Sequence, residues 1–180
     1  MKVLSALFYL FIALTLSQLA LAYDTADLNK LLDTNLCRRC DLSGANLRGA
    51  KLNGGEMDKA DLSSAQLIGA ILTHASLNDA DLIMTNLNGA KLSGALLNGA
   101  LLRGATLIGA KLTHANLSEA DLTEANFNYA KLTGVNLFGA NLSRADLLGA
   151  NLTGANLTGA DLTGANLSGA ILRGVQLLGA

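Results

Sequence analysis

From Leu42 to Leu177 a large apolar residue recurs at every fifth position without a change of register, Leu throughout except for Met57 and Phe127. Two positions before it stands Ala, replaced only by Cys40, Gly55, Thr85, Val135 and Val175. Each unit reads A-(D/N)-L-x-x. A short fixed period of this kind predicts a solenoid, in which every unit buries its apolar side only against its neighbours. Every glycine but Gly55 falls two residues after the central apolar position. A type II turn needs positive φ at its third residue, so glycine there marks a corner after each unit. Ten corners lack it, at Lys59, Ser64, His74, Asp79, Met84, His114, Glu119, Glu124, Tyr129 and Arg144. Those ten are expected to use another turn type.

The residues before the array follow a different pattern. From Asp24 to Asp33, Leu28, Leu31 and Leu32 repeat at spacings of three and four, Asp24 or Thr25 stands at a capping position, and Asp27 lies in the first turn. This predicts a small amphipathic helix that covers the apolar end of the first coil. Residues 1–22 read as a signal peptide: Lys2 gives a positive start, Val3 to Leu16 is mostly apolar, and Ala20-Leu21-Ala22 supplies the small residues a processing site needs. Cleavage is expected after Ala22. An uncleaved anchor is the alternative, though the stretch is short for a span of about 20 residues. The expected layout is a signal peptide over 1–22, a capping helix and lead-in over 23–36, and a β-helix over 37–180.

The A-(D/N)-L-x-x array resembles the pentapeptide-repeat family, and the lead-in from Leu31 to Leu47, with Cys37-Arg-Arg-Cys40, is similar to that of exported cyanobacterial members. The resemblance implies an all-β solenoid, a right-handed four-sided β-helix with the central Leu and the preceding Ala pointing inward. At four units per coil the array makes about seven coils, a rod roughly 34 Å long at the strand spacing of about 4.8 Å.

Charge adds an internal test of that geometry. The total is balanced, 13 Lys and Arg against 14 Asp and Glu, so no strong overall field favours nucleic acid. Sampled at a period of 20, however, the position before each Leu sorts by sign. One rank reads Asp41, Asp61, Asp81, Leu101, Asp121, Asn141, Asp161; the rank ten residues on reads Lys51, Ile71, Lys91, Lys111, Lys131, Asn151, Ile171. Half a coil apart, these are expected on opposite faces as candidate interaction ranks. Duplication of coil-sized blocks is the competing explanation, since Ala65–Leu82 and Ala105–Leu122 are identical at 13 of 18 positions.

Catalytic chemistry finds little support. His74 and His114 share a Leu-Thr-His-Ala context 40 residues apart, too far along the rod to ligate one metal. No Ser, Thr or Cys is joined to a His and an acid by a recognisable motif, and an axis filled by Leu and Ala leaves no substrate pocket. No enzyme activity, cofactor or metal is expected. Cys37 and Cys40 bracket one corner at inward positions, close enough for a disulfide in an oxidising compartment; two buried thiols are the alternative.

These readings converge on an exported, non-catalytic scaffold that binds a protein partner of unknown identity through its charged ranks, in the periplasm or thylakoid lumen or secreted. No nucleic acid is expected as partner, and no membrane once the leader is removed. The coil of residues 161–180 carries no capping segment and is expected to pair copies end to end into a homodimer or a longer assembly. Two alternatives are weaker. A DNA mimic, like family members that occupy DNA gyrase, conflicts with the leader and the lysine rank. An ice- or carbohydrate-binding surface built on Thr73, Ser93, Thr113, Thr133 and Thr153 conflicts with the lysines two residues away.

Overall fold

A computed structural model describes residues 23–180. The expected leader over 1–22 and its cleavage after Ala22 lie outside the described residues. From Leu36 onward the position before each central residue forms a parallel bridge to the residue 20 further on, from Leu36 with Glu56 to Asn156 with Gln176. Four pentapeptides therefore separate each residue from the one it pairs with. The coils stack so that central Leu and preceding Ala side chains are sealed inside from Leu42 through Ala160, Ala50 being partly buried, in one continuous core.

The backbone explains why the period is five. Of the five N–H groups in a pentapeptide, three bond to an adjacent coil: Leu42 N to Asp61 O, Gly44 N to Ser63 O, and Asp61 N back to Cys40 O. A fourth closes the turn, Ala45 N to Leu42 O at 3.0 Å. A segment this short has no other way to satisfy its main chain, and a buried amide left unpaired is costly.

The ten corners without glycine do not use another turn type, contrary to expectation. All have positive φ, between 54° for Asp79 and 60° for Lys59, close to the glycine corners. The physical cause is the ladder itself. The corner amide donates to the coil ahead whatever its side chain, His74 N to Ser93 O at 3.0 Å as Gly44 N to Ser63 O at 2.7 Å. A different turn would forfeit that bond in every coil, so the side chain accepts the left-handed backbone instead.

A second device makes this tolerable. The corner side chain lies over the corner 20 residues ahead, and that residue is glycine after His74, Asp79, Met84, His114, Glu119, Tyr129 and Arg144. A Cβ at Gly94 would meet the His74 ring at 2.5 Å, whereas one at Gly109 meets nothing. Where the next corner is not glycine, charge can match: Lys59 reaches Asp79 at 3.8 Å and Glu124 reaches Arg144 at 3.3 Å.

The N-terminal cap is helix α1, Thr25–Thr34, within a residue of the expected span. Asp24 caps it, accepting from the amides of Ala26 and Asp27. Leu31 is buried, and Tyr23 and Leu28 pack against the core. The helix also completes the first coil's hydrogen bonds. Among the described residues no coil precedes Asp41, and the Asp27 carboxylate accepts from its N–H at 2.9 Å. Asn35 ends the helix at φ 61° and occupies an inward alanine position, where its larger side chain explains the one out-of-place glycine. A Cβ at Gly55 would lie 2.8 Å from Asn35 Oδ1 and 3.0 Å from the Leu52 carbonyl oxygen.

The corner packing yields a direct comparison. Gly94→Ala and Gly109→Ala should each lose about 1–2 kcal/mol from the positive φ, and Gly94→Ala about 1 kcal/mol more because the His74 ring must leave its rotamer. Adding His74→Gly should cancel the extra loss in denaturant unfolding. Equal destabilisation of the two single variants would contradict the stacking.

Candidate functional site

The three inter-coil bonds and the turn bond leave one amide per pentapeptide, that of the residue after the central Leu. The Asp or Asn before that Leu accepts it: Ser63 N donates to Asp61 Oδ1 at 2.9 Å, Ile83 N to Asp81 Oδ1 at 2.9 Å, and Thr153 N to Asn151 Oδ1 at 3.0 Å. This Asx bond is the physical reason for the (D/N) of the repeat. Charge is not required for it, because Asn makes the same bond as Asp. Where the acceptor is missing, an Asp or Asn from the coil before can stand in, as Asp58 does for Asn78 N, Asn78 for Asn98 N and Asn88 for Ile108 N.

The two charged ranks are continuous columns. Asp41, Asp61, Asp81, Leu101, Asp121, Asn141 and Asp161 are bridged in sequence, as are Lys51, Ile71, Lys91, Lys111, Lys131, Asn151 and Ile171. The columns stand half a circuit apart. Lys51, Lys91, Lys111 and Lys131 are all exposed. Lysine cannot accept a hydrogen bond. Among the described residues the amides of Asn53, Ser93, Thr113 and Thr133, two positions after these lysines, have no side-chain acceptor, and none of the four lysines forms an ion pair. The stretches 51–54, 71–74, 91–94, 111–114, 131–134, 151–154 and 171–174 on that flank contain no acidic residue. His74 and His114 are exposed corner residues on the same flank.

The acidic column differs along its length. Asp41, Asp61 and Asp81 each commit Oδ1 to the local amide. Further on, Arg103 pairs with Asp121 at 2.9 Å and Arg144 with Glu124 at 3.3 Å, and a shallow depression runs past Asp121, Asn141, Arg144 and Asp161. Burial pushes the Asp121 carboxyl up, but bonds from the Thr123 hydroxyl, Arg103 and the Thr123 amide outweigh it and hold the group below its ordinary value. The Thr163 hydroxyl and amide lower Asp161 in the same way.

Cys37 and Cys40 form a disulfide with Cα atoms 5.3 Å apart, as the corner spacing leads one to expect. Asp27 lies beside it, its carbonyl oxygen 3.2 Å from Cys37 Sγ. Asp27 and the two cysteines are grouped closely enough to suit a metal ion. With the sulfurs bonded to each other, the thiolates such a site requires do not exist. Sequence reasoning found both columns and the disulfide but missed the Asx bonds, although the free interchange of Asp and Asn at one position was their visible sign.

The family model for pentapeptide repeats matches residues 33–65, 40–79, 60–99, 100–137 and 136–174. Among solved structures the chain is similar to HetL, a pentapeptide repeat protein involved in heterocyst differentiation regulation in the cyanobacterium Nostoc sp. strain PCC 7120. The identity is 36% over 78% of this chain and 77% of that one, with a TM-score of 0.44. It is also similar to QnrB1, a plasmid-mediated fluoroquinolone resistance protein, at 26% identity over 74% and 75% of the two chains and a TM-score of 0.58. A pentapeptide repeat protein from the Arabidopsis thaliana thylakoid lumen is 32% identical over 64% and 67%, with a TM-score of 0.33. No curated protein matches the chain. The family match and the QnrB1 likeness imply a right-handed β-helix solenoid. No helix of the described residues is long and apolar enough to cross a membrane.

Two outcomes follow from the Asx bonds. Lys111→Asn should stabilise the fold by about 1 kcal/mol in denaturant unfolding, by supplying an acceptor to Thr113 N and removing the charge that Lys91 and Lys131 both neighbour. Arg103→Met should raise the Asp121 pKa, read by carboxyl NMR. Because the native value is depressed, the stability Asp121 contributes is present above its unfolded pKa and is lost as pH falls through the native one, and the variant should shift that acid loss to higher pH.

Proposed function

Since the chain belongs to the pentapeptide-repeat family, we propose that it is an exported, non-catalytic scaffold, a four-sided solenoid of about seven coils that docks a protein partner through its charged flanks. One observation carries this reading. Lys51, Lys91, Lys111 and Lys131 stand where Asn or Asp would accept the local amide, and each gives up that bond, as Ile71 and Leu101 also do. Three of them, bridged in direct succession, also repel one another. Surface charges at about 4.8 Å spacing cost up to about a kcal/mol per pair. Residues that work against folding at exposed positions are accounted for by recognition.

Export rests on the leader residues, with periplasm or thylakoid lumen as the compartment and Cys37–Cys40 as a bond suited to it. Pairing of two copies through residues 161–180 belongs to the same reading. The DNA-mimic alternative has the lysine column against it, since a mimic needs negative charge where this chain carries four cations.

Capture from the native compartment tests the proposal. The chain should retain a stable protein partner that is lost when Lys91, Lys111 and Lys131 are changed to Glu, with the thermal unfolding of the variant within a few degrees of the original. Retention of the same partner by the triple variant would remove the lysine column from the interface.

A further inference from the structure

The two columns are complementary to each other, position by position, when one is read backwards. Down the acidic column the order is Asp41, Asp61, Asp81, Leu101, Asp121; up the basic column it is Lys131, Lys111, Lys91, Ile71, Lys51. We propose that the partner of each flank is the opposite flank of a second copy of this chain, packed side by side and antiparallel in that register. The inference rests on the reading of the columns as docking surfaces.

Both columns advance by one coil per residue, so a single correct pair sets the rest. In this register Asp41 meets Lys131, Asp61 meets Lys111, Asp81 meets Lys91 and Asp121 meets Lys51, while Leu101 meets Ile71. The two apolar interruptions thus face each other. A shift of one coil in either direction sets Leu101 against Lys91 or Lys51 and leaves aspartates facing Ile71, which desolvates charge without a partner. The positions two residues further on are neutral on both flanks over this span except for Arg103: Ser43, Ser63, Ile83 and Thr123 oppose Thr133, Thr113, Ser93 and Asn53.

The side chains are prepared for this contact. Asp61 and Asp81 are fixed by their Asx bonds through Oδ1, which leaves Oδ2 to an external donor. The facing lysines have no ion pair of their own among the described residues. Asp121 would share its Oδ2 between Arg103 and Lys51 of the second copy. Leu101 is 39% exposed, and pairing covers it. Because the contact uses a different flank on each copy, a pair keeps one free basic flank on the first copy and one free acidic flank on the second, and the assembly grows sideways as an open array.

Sedimentation of the purified protein tests the pairing, compared at about 0.01 M and about 1 M ionic strength, where the Debye length falls from ~30 to ~3 Å. Concentration-dependent association is expected at low salt and monomers or end-joined dimers at high salt. The triple variants K91E/K111E/K131E and D41K/D61K/D81K should each fail to associate sideways alone, and an equimolar mixture should recover assembly. Register is read by thiol cross-linking, the native cysteines being bonded: Asp61→Cys should join Lys111→Cys and not Lys51→Cys. Association that is absent at low salt, that is unaffected by both triple variants, or that joins Asp61→Cys to Lys51→Cys would overturn the inference. If K91E/K111E/K131E loses a captured protein while the original chain remains unassociated, lateral self-pairing falls and the docking reading stands.

Discussion

Everything in this molecule is arranged around one requirement, that each coil hand its backbone hydrogen bonds to the next. Three of five amides per pentapeptide reach across to a neighbouring coil, and the turn closes a fourth. Since those bonds involve no side chain, the path of the main chain is indifferent to local sequence. That indifference is why Lys59, Glu124 and Tyr129 adopt a backbone conformation that ordinarily belongs to glycine. It also lets one pentapeptide motif serve at every level of the rod. Side chains are then free to do two things only: fill the axis, or face outward.

The core and the helix were legible because they depend on near-neighbour rules. Leu and Ala at fixed spacing define an inside, and the leucines of α1 at three and four define its packed face. The corners were misread because turn preference was applied to each residue in isolation, whereas the ladder imposes its geometry from outside the turn. The compensation was nevertheless visible at the longer period. Glycine follows 20 residues after His74, Met84 and Tyr129, and a residue of opposite charge follows Lys59 and Glu124. Asn35 and Gly55 are the same kind of pair inside the axis, a large residue above and none below. The Asx bonds stayed hidden for a different reason. They satisfy an amide that only becomes a problem once the other four are assigned.

Separating the amide acceptor from the charge changes how the two flanks are understood. At the position before Leu, Asp and Asn both accept the local amide, so that bond alone does not account for the concentration of Asp in one column. Lys at that position is worse for folding than either. An acidic column can arise by drift between equivalent residues, but a lysine column persists against a small, repeated loss of hydrogen bonding. Of the two, the basic flank is therefore the stronger mark of recognition.

Copying of coil-sized blocks does not remove that distinction. Where Ala65–Leu82 matches Ala105–Leu122, the histidines, the corner context and Ile68 with Ile108 are shared, as duplication alone would leave them. The copies differ at the position that belongs to the basic column, Ile71 in one and Lys111 in the other. Their acidic-column residues, Asp81 and Asp121, remain the same. Duplication accounts for the period and for much of the ornament on the corners; it does not account for a cation that one block has and its copy lacks. Lys111 is also the middle of the three lysines in direct succession, flanked by Lys91 and Lys131 in the bridged column. The residue that completes the run is thus among the five at which the block and its copy differ, and it stands where a neutral amide would supply an acceptor.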